Sequence, residues 1–388
     1  MVFKDAVVIA GVAEIAPVRD PAGATVIDFL ARVARDAMLD ADLVPADIDG
    51  LVIGPSFAGA PLTMPAIVGD VLGIRPTFCD VVDLGGATAA GMVWRAAAAI
   101  ASGAATAVLC ALAEATDQRN PVRGVPWPGM PGLEWERAYG PMGANTGYAM
   151  AAMRHAHLYG TTDEQRAKVA VDQRTNACVN PASQFYGRPI TVDDVLASPM
   201  VCDPLHLLEI VMPSSGGTAF VVTTPEIAKR SGKASVSLLG FGERVTHSTL
   251  ASIPDLTSTA IADTAAKAFS MAGVRPSDID LLSIYDCYTI TVIITLEDAG
   301  FCEKGSGGAF VADHDLTWKG DVPVNTHGGQ LSYGQAGLAG GASHITEAVR
   351  QLQGEAAGRQ VGNCELVFVH GNGGLLSEQC SLVLARRS

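Results

Sequence analysis

Basic residues are scarce in this chain. Lys and Arg number 26 against 40 Asp and Glu, a formal net charge of −14, and no stretch gathers the cations. Phosphate backbones are held by a concentrated basic face, so a nucleic-acid partner is excluded. Charged residues make up only 17% of the sequence and aromatics 6%, where a charged share of roughly 25% is usual. With 48% apolar residues, such a chain is not disordered. It builds a closely packed body, and 388 residues suffice for two domain-sized cores. The eight cysteines, at 79, 110, 178, 202, 287, 302, 364 and 380, form no CxxC and sit near no histidine at ligand spacing. A zinc site and a disulfide framework are thereby excluded, and no metal is expected. A basic n-region and a small-residue cleavage site are also lacking, so the expected setting is cytoplasmic with reduced thiols. Long apolar runs are few. Residues 96–113 stay uncharged over 18 positions, close to the lower limit for a membrane span. Their poly-Ala start, Ser102-Gly103 centre and β-branched end read instead as helix, stop and buried strand, with no membrane partner.

What the chain does have is glycine, 42 residues against a usual share of ~7%, and an internal repeat. Residues 37–49, AMLDADLVPADID, rhyme with residues 268–280, AFSMAGVRPSDID, at an offset of 231 (276 − 45) that matches Pro45 to Pro276 and Asp49 to Asp280. Each copy reads as a helix, a Pro turn and an apolar strand, LVIG in the first and LLSIYD in the second. A further strand precedes each, AVVIAGV from Ala6 and SVSLLGFG from Ser235. Gly85-Gly86 opens an Ala-rich helix that stops at Gly103 before the strand TAVLCALA, and the glycines around Gly337 precede the helix HITEAVRQLQG and the strand ELVFVHG. Two alternating β/α halves, 1–232 and 233–388, are the expected organisation. Continuous apolar strands imply sheets covered on both faces. An interval of about 115–200, rich in Pro, Trp and polar residues but holding the helical segment TTDEQRAKVAVDQRTNACV, reads as an inserted loop region for substrate contacts.

Seven motifs carry a family resemblance in order: YGTTDEQRAKVAV, NPAS, YGRPITVDDVLASPMVCDPL, MPSSGGTAFVV, IDLLSIYDCYT, NTHGGQLSYG and VHGNGGLLS. With the duplicated β/α unit they resemble the thiolase superfamily, more closely the thiolase-like domain of sterol carrier protein x and the lipid-transfer proteins. The resemblance implies an α/β fold of five layers, αβαβα, usually a dimer, acting on CoA thioesters as substrates. No Gly-rich phosphate loop or basic cluster marks a CoA site, so CoA rests on the resemblance and no cofactor is expected.

The chain departs from the working thiolase wherever a catalytic position can be matched. The family's nucleophilic cysteine opens the helix after the third strand, where a helix N-terminus lowers a thiol pKa; Gly86 of DLGGATAAG stands there. The activating histidine falls at Gln335, an amide that moves no proton at neutral pH. The second cysteine becomes His370 of HGNGG, and the Asn or His of a fourth motif becomes Tyr285 of YDCY. An acyl-enzyme needs a nucleophile at the first of these places. The resemblance narrows to a branch that lacks the cysteine, the steroid side-chain aldolases. Members carry GG at that point and HGNGG near the end, act with a small OB-fold, zinc-ribbon partner, and use tyrosines. A retro-aldol split of a β-hydroxyacyl-CoA, with a steroid or other bulky acyl group, is then the expected reaction. It gives a ketone or aldehyde plus acetyl-CoA or propionyl-CoA.

Tyr285 and Tyr333 are carried over as the acid/base pair. Which is acid and which is base is open at this point. A phenol of pKa ~10 is a competent acid and, beside a cation, a base. His370 is a third candidate, as a donor or as a holder of a tyrosine. Backbone N–H groups at Gly86, Gly329 and Gly373 are candidates for an oxyanion site. Blander roles compete: Tyr285 and Tyr288 as strand-end core, Asp286 as a turn or helix cap, His327 as a loop residue, and Cys287 and Cys302 as buried filler. His155 and His157, two apart on a helix, do not share a face. Two other readings stay open: acyl transfer through another nucleophile such as Cys287, and a non-catalytic scaffold that binds lipids or CoA esters.

Overall fold

The computed structural model describes residues 6–59, 63–119, 136–140 and 143–387. The first half supplies strands β1 (Val8–Val18), β2 (Gly50–Ile53), β3 (Phe78–Val81), β4 (Ala107–Glu114) and β7 (Ser215–Thr223), with helices α1 (Val26–Asp40), α2 (Met64–Leu72) and α3 (Thr88–Ala101). Between β4 and β7 run α4 (Ala144–Tyr159), α5 (Asp163–Cys178), α6 (Val192–Ala197) and the hairpin β5 (Met200–Cys202) and β6 (Leu205–His206). A short α7 (Pro225–Ala228) leads into the second half: β8 (Ser235–Val245), α8 (Ile261–Ala272), β9 (Leu281–Ile284), α9 (Thr289–Asp298), α10 (Gly307–Asp313), α11 (Gly329–Ser332), α12 (Ser343–Gln353), β10 (Leu366–Gly373) and β11 (Glu378–Arg387).

The repeat read from the sequence is realised in the backbone. β9 follows β2 by 231 residues (281 − 50), and Pro45 and Pro276 open matching single 3₁₀ turns. The main sheet runs β3-β2-β4-β7-β1-β8-β11-β10-β9, so the second half repeats the order of the first in reverse about the β1–β8 seam. That seam is short, pairing Val8 with Ser237 and Ile9 with Val236. The counterpart of β3 in the second half shrinks to one bridge, Leu282 with Val324.

Strand alternation sorts the core into layers. Along β4, Val108, Cys110 and Leu112 join one cluster while Ala107, Leu109 and Ala111 join another, as period-2 side chains on a doubly covered sheet must. The central cluster holds α3 and α12 between the two halves of the sheet, α1 and α2 cover one outer face, and α8 and α9 cover the other. This is the five-layer arrangement. Each fully buried Ile, Leu or Val in it contributes about 1.5–3 kcal/mol. Alanines dominate α3, which lets the helix lie buried between the two halves of the sheet. Midway along α3, Arg95 pairs with Glu243 of β8 at 2.6 Å and lies 4.4 Å over the ring of Trp94, tying the halves together.

The interval expected as inserted loop is largely helical where it is described; residues 120–135 and 141–142 lie outside the described residues. Capping boxes from Thr162 and Thr191 start α5 and α6. The apolar period of α5 is weak because it buries paired polar groups: Arg166 Nε donates to Glu209 at 3.0 Å, and Asn176 donates to the Val324 carbonyl at 3.0 Å. Among the described residues no helix is long and apolar enough to cross a membrane.

Candidate active site

The carboxyl ends of β9 and β10, the loop after Val324 and the start of α3 meet at the seam between the halves. β9 ends where Asn325 imitates a neighbouring strand: its side chain accepts from Ile284 N and donates to Ile284 O, both at 2.8 Å. The next residue, Tyr285, donates its backbone N–H to the His370 carbonyl at 2.9 Å, which fixes where its ring emerges. That ring lies against Gly86. A Cβ on Gly86 would stand 2.2 Å from Tyr285 Cζ and 2.3 Å from the Asn372 carbonyl oxygen. The phenol therefore fills the space into which a side chain at the α3 entrance would point.

The two tyrosines have different partners, one on the loop after α11 and one on β1. Gln335 Nε2 donates to Tyr285 Oη at 2.9 Å, and Tyr333 Oη donates to the carboxylate of Glu14 on β1. Glu14 also accepts from Thr346 and from Arg350 Nη1 at 2.8 Å, with its side chain only 7% exposed. Two imidazoles connect the phenols. Tyr333 to His327 is 5.4 Å between ring centroids, His327 to His344 is 5.1 Å, and His344 to Tyr285 is 6.2 Å. Tyr285 and Tyr333 thus belong to one continuous buried cluster, with their hydroxyls held by different partners.

His370 stands apart from the hydroxyls. Its position on β10 turns the ring toward β11, where Nδ1 meets Ser381 Oγ at 3.0 Å and Nε2 meets Gln379 Oε1 at 2.8 Å. The amide oxygen calls for a proton on Nε2, burial disfavours a second one on Nδ1, and both nitrogens are engaged. Its reach is indirect. Gln379 donates to Asn372 at 2.8 Å, and Asn372 donates to Tyr148 Oη on α4 at 2.9 Å. Of the two roles open to His370, these contacts fit the holder and not the donor: through Gln379 it holds Asn372 and Tyr148. Gly329 and Gly373 are likewise close-packing glycines. A Cβ on Gly329 would meet Gln173 Oε1 at 1.9 Å and Asp286 Oδ2 at 2.2 Å, and one on Gly373 the Leu84 carbonyl oxygen at 2.0 Å. Of the three glycines Gly86 is the one against the phenol. Asp286 is a cap: it accepts from the backbone N–H of Gln330 at 2.8 Å and of Leu331 at 3.1 Å.

Burial dominates the electrostatics. Desolvation, with Cys287 second, raises the Tyr285 phenol above its ordinary range. It also lifts the Cys287 thiol to about 12 and the Cys302 thiol to about 11, which leaves neither as a ready nucleophile. For Tyr333, desolvation and then the Glu14 charge raise the phenol well above its ordinary value. A tyrosine base calls for a cation beside it; the nearest partner of Tyr333 is an anion, so the phenol is held protonated. Desolvation opposes the charge of Glu14, yet Arg350, Thr346 and Tyr333 together keep that carboxyl below the usual range.

Two rings set an acid limit on stability. Burial pulls His370 down to about 4, and burial with the nearby His344 does the same for His327. Both are neutral in the fold, whereas an unfolded histidine titrates near 6.5. Between those values the unfolded chain binds more protons, so stability present above about pH 6.5 is lost as pH falls toward 4. The loss is on the order of 3 kcal/mol for each ring. Urea midpoints are expected to be lower at pH 5 than at pH 7.5; equal midpoints would count against buried neutral rings.

Several partners escaped the sequence reading. Tyr148 stacks on Tyr288 with centroids 4.2 Å apart, and Tyr288 Oη donates to Asn145 at 2.6 Å. Asn145 and Tyr148 lie three apart on one face of α4, a spacing that could have marked them. Glu14 is a lone carboxylate in an apolar strand, the strongest signal of the set. His155 is structural, bonded to Thr161 at 2.7 Å and Glu297 at 3.0 Å. Among the described residues no three ligands gather for a metal. A surface cavity of about 170 Å³ next to Leu376 is bounded by Arg244, His247, Asp255 and Asp263.

Comparison with known proteins agrees with this architecture. Residues 242–386 match the family model Thiolase C-terminal domain-like. An acetyl-CoA acetyltransferase of Methanothermobacter thermautotrophicus is 34% identical, covering 89% of this chain and 91% of its own length. A steroid side-chain-cleaving aldolase of Thermomonospora curvata is 33% identical, covering 89% and 90%. The solved structure described as Ltp2-ChsH2(DUF35) aldolase superposes with a TM-score of 0.90 at 32% identity, over 100% of this chain and 99% of that one.

Proposed function

The chain belongs to the thiolase superfamily, in the sterol-carrier-protein branch near the steroid side-chain aldolases, and from that membership we infer that it is a carbon–carbon lyase that splits a β-hydroxyacyl-CoA by retro-aldol cleavage. One observation carries the choice of lyase over transferase. The place of an acylating side chain is filled by the Tyr285 phenol packed on Gly86, and the nearby Cys287 thiol is pushed up to about 12. A phenol there can give a proton but leaves no room for a covalent thioester.

In this reaction the β-hydroxyl loses its proton, the Cα–Cβ bond breaks, and its electron pair moves onto the thioester as an enolate. Protonation of the enolate carbon gives the shortened acyl-CoA, and the former carbinol carbon leaves as a ketone or aldehyde. Hydrogen-bond donors aimed at the enolate oxygen lower the barrier; we assign that role to Tyr285 and the Gly86 backbone at the α3 entrance. CoA enters as part of the substrate and no cofactor is required. The acyl group is steroid-like or similarly bulky, as the names of the aldolase relatives suggest. A DUF35-type partner, the small OB-fold, zinc-ribbon protein, completes the complex; the superposed Ltp2-ChsH2(DUF35) aldolase supports this pairing. A homodimer through the outer edge of β3 fits that strand's open edge and the 55% exposed Val81.

The test is turnover of β-hydroxyacyl-CoA substrates by the protein with its partner. The expected products are a carbonyl compound and acetyl-CoA or propionyl-CoA in equal amounts, with no mass added to the polypeptide. A labelled acyl group trapped on Cys287 would favour the transferase reading and overturn this one.

A further inference from the structure

We propose that the two phenols divide the proton work by the polarity of their hydrogen bonds, Tyr285 donating to the nascent enolate and Tyr333 collecting the substrate hydroxyl proton while passing its own to Glu14. This rests on the retro-aldol reading and goes beyond it by assigning direction and naming the final acceptor.

The polarity follows from the partners. Tyr285 Oη accepts from Gln335 Nε2 at 2.9 Å, with the Gln330 side chain a second hydrogen-bonding neighbour, so the oxygen is engaged as an acceptor and its own proton can be given. Tyr333 is the reverse: its proton is committed to the Glu14 carboxylate, while its lone pairs can accept. An ionised Tyr333 beside ionised Glu14 would place two anions in a buried site, which is unfavourable. A relay avoids that state. As the β-hydroxyl proton moves to Tyr333 Oη, the Tyr333 proton moves to Glu14, and the phenol stays neutral throughout. The Cα–Cβ electron pair leaves on the thioester oxygen. The enolate carbon later takes up one proton, and Glu14 returns its proton through Tyr333, so the enzyme ends unchanged.

Glu14 is built for the task. It sits on β1, where irregular pairing with β7 falls between Ile15 and Val18, and α12 brings Thr346 and Arg350 to its second oxygen. Arg350 faces Glu14 from α12, and His327 faces it from the loop after Val324. Behind them Glu347 bonds Arg359 at 2.7 Å, and Arg359 in turn acts on Tyr333. Glu14 reaches the substrate only through Tyr333, and is a positioning and proton-storing residue by that route.

Glu14→Gln keeps an acceptor for Tyr333 but removes the charge and the basicity. With the partner protein present, kcat is expected to fall about 10²-fold while KM changes less than about threefold. The wild-type kcat is expected to be flat from pH 6.5 to 9, whereas kcat of Glu14→Gln should rise about tenfold per pH unit, because hydroxide or ionised Tyr333 must then act. Glu14→Asp should restore a flat profile. A flat profile with near-normal kcat in Glu14→Gln would overturn the relay. A second readout needs no turnover. Ultraviolet difference titration against Tyr333→Phe should show Tyr333 ionising at lower pH in Glu14→Gln, or in Glu14→Ala if the former does not fold, but not in Glu14→Asp, which keeps the charge. An unchanged titration also overturns the proposal. Wild-type protein that cleaves no β-hydroxyacyl-CoA, yet shows the titration shift, would sink the lyase reading while leaving the Glu14–Tyr333 couple standing.

Discussion

Tyr285→Phe is expected to lower kcat by about 10²–10⁴-fold and to leave KM within about threefold, the signature of a group whose contribution is made in the transition state. The substitution removes one oxygen and little else. The ring keeps its contact with the backbone at Gly86 and Gly341 and the Tyr285 backbone keeps its bond to the His370 carbonyl. What is lost is the acceptor for Gln335 Nε2, a stability cost of about 1–3 kcal/mol if that amide finds no other partner. Tyr288→Phe supplies the control. Its hydroxyl is already spent on Asn145, so it should cost no more than about tenfold in kcat through slackened packing of Tyr148. Steady-state release of the carbonyl product from the complex measures both. If Tyr285→Phe turned over within tenfold of wild type, with Tyr288→Phe more damaged, the acid would have to be placed on the α4 side of the cluster.

The fold was legible because its signals are local and repeated. The match of Pro45 to Pro276 survives as two turns and two strands at one offset, and uninterrupted apolar strands left only a sheet covered on both faces. The fold also brings together the family motifs YDCY, LSYG and the GG before α3. Direction was not legible. A strand's side-chain face depends on register, and His370 looks catalytic in HGNGG until the β10–β11 pairing turns it toward Ser381 and Gln379. Hydrogen-bond polarity is less legible still. Glu14 lies 319 residues from Tyr333 in sequence, and no local pattern joins them. Tyr148 belongs to an interval whose helices bury polar groups, so apolar periodicity understated it. The glycines divided for a steric reason. GxGG strings signal close approach of backbones, but only the folded chain tells that Gly86 lies under a phenol while Gly373 lies under the Leu84 carbonyl.

Restoring sulfur at the ancestral place should fail, and the manner of failure tests the packing argument. Gly86→Cys is expected to destabilise the protein by about 2–4 kcal/mol, since overpacking of a filled interior costs about 1–3 kcal/mol and one obstacle here is backbone. A new Cβ would sit 2.2 Å from Tyr285 Cζ, which a rotating ring can relieve, and 2.3 Å from the Asn372 carbonyl oxygen, which is fixed in β10. Displacing the ring also removes the acid, so lyase activity should fall at least as far as in Tyr285→Phe. No thiolase should emerge, because Gln335 cannot take the thiol proton. The diagnostic is a coupling energy. In Gly86→Cys with Tyr285→Ala the ring clash is gone, so the double variant should be more stable than the two single losses added together predict, by about 1 kcal/mol or more, with part of the Gly86→Cys cost remaining from Asn372. Urea denaturation of the four proteins measures it. Strict additivity, or a Gly86→Cys protein that is as stable as wild type and still cleaves substrate, would mean that the Tyr285 phenol does not occupy the nucleophile's place, and the choice of lyase over transferase would lose its main support.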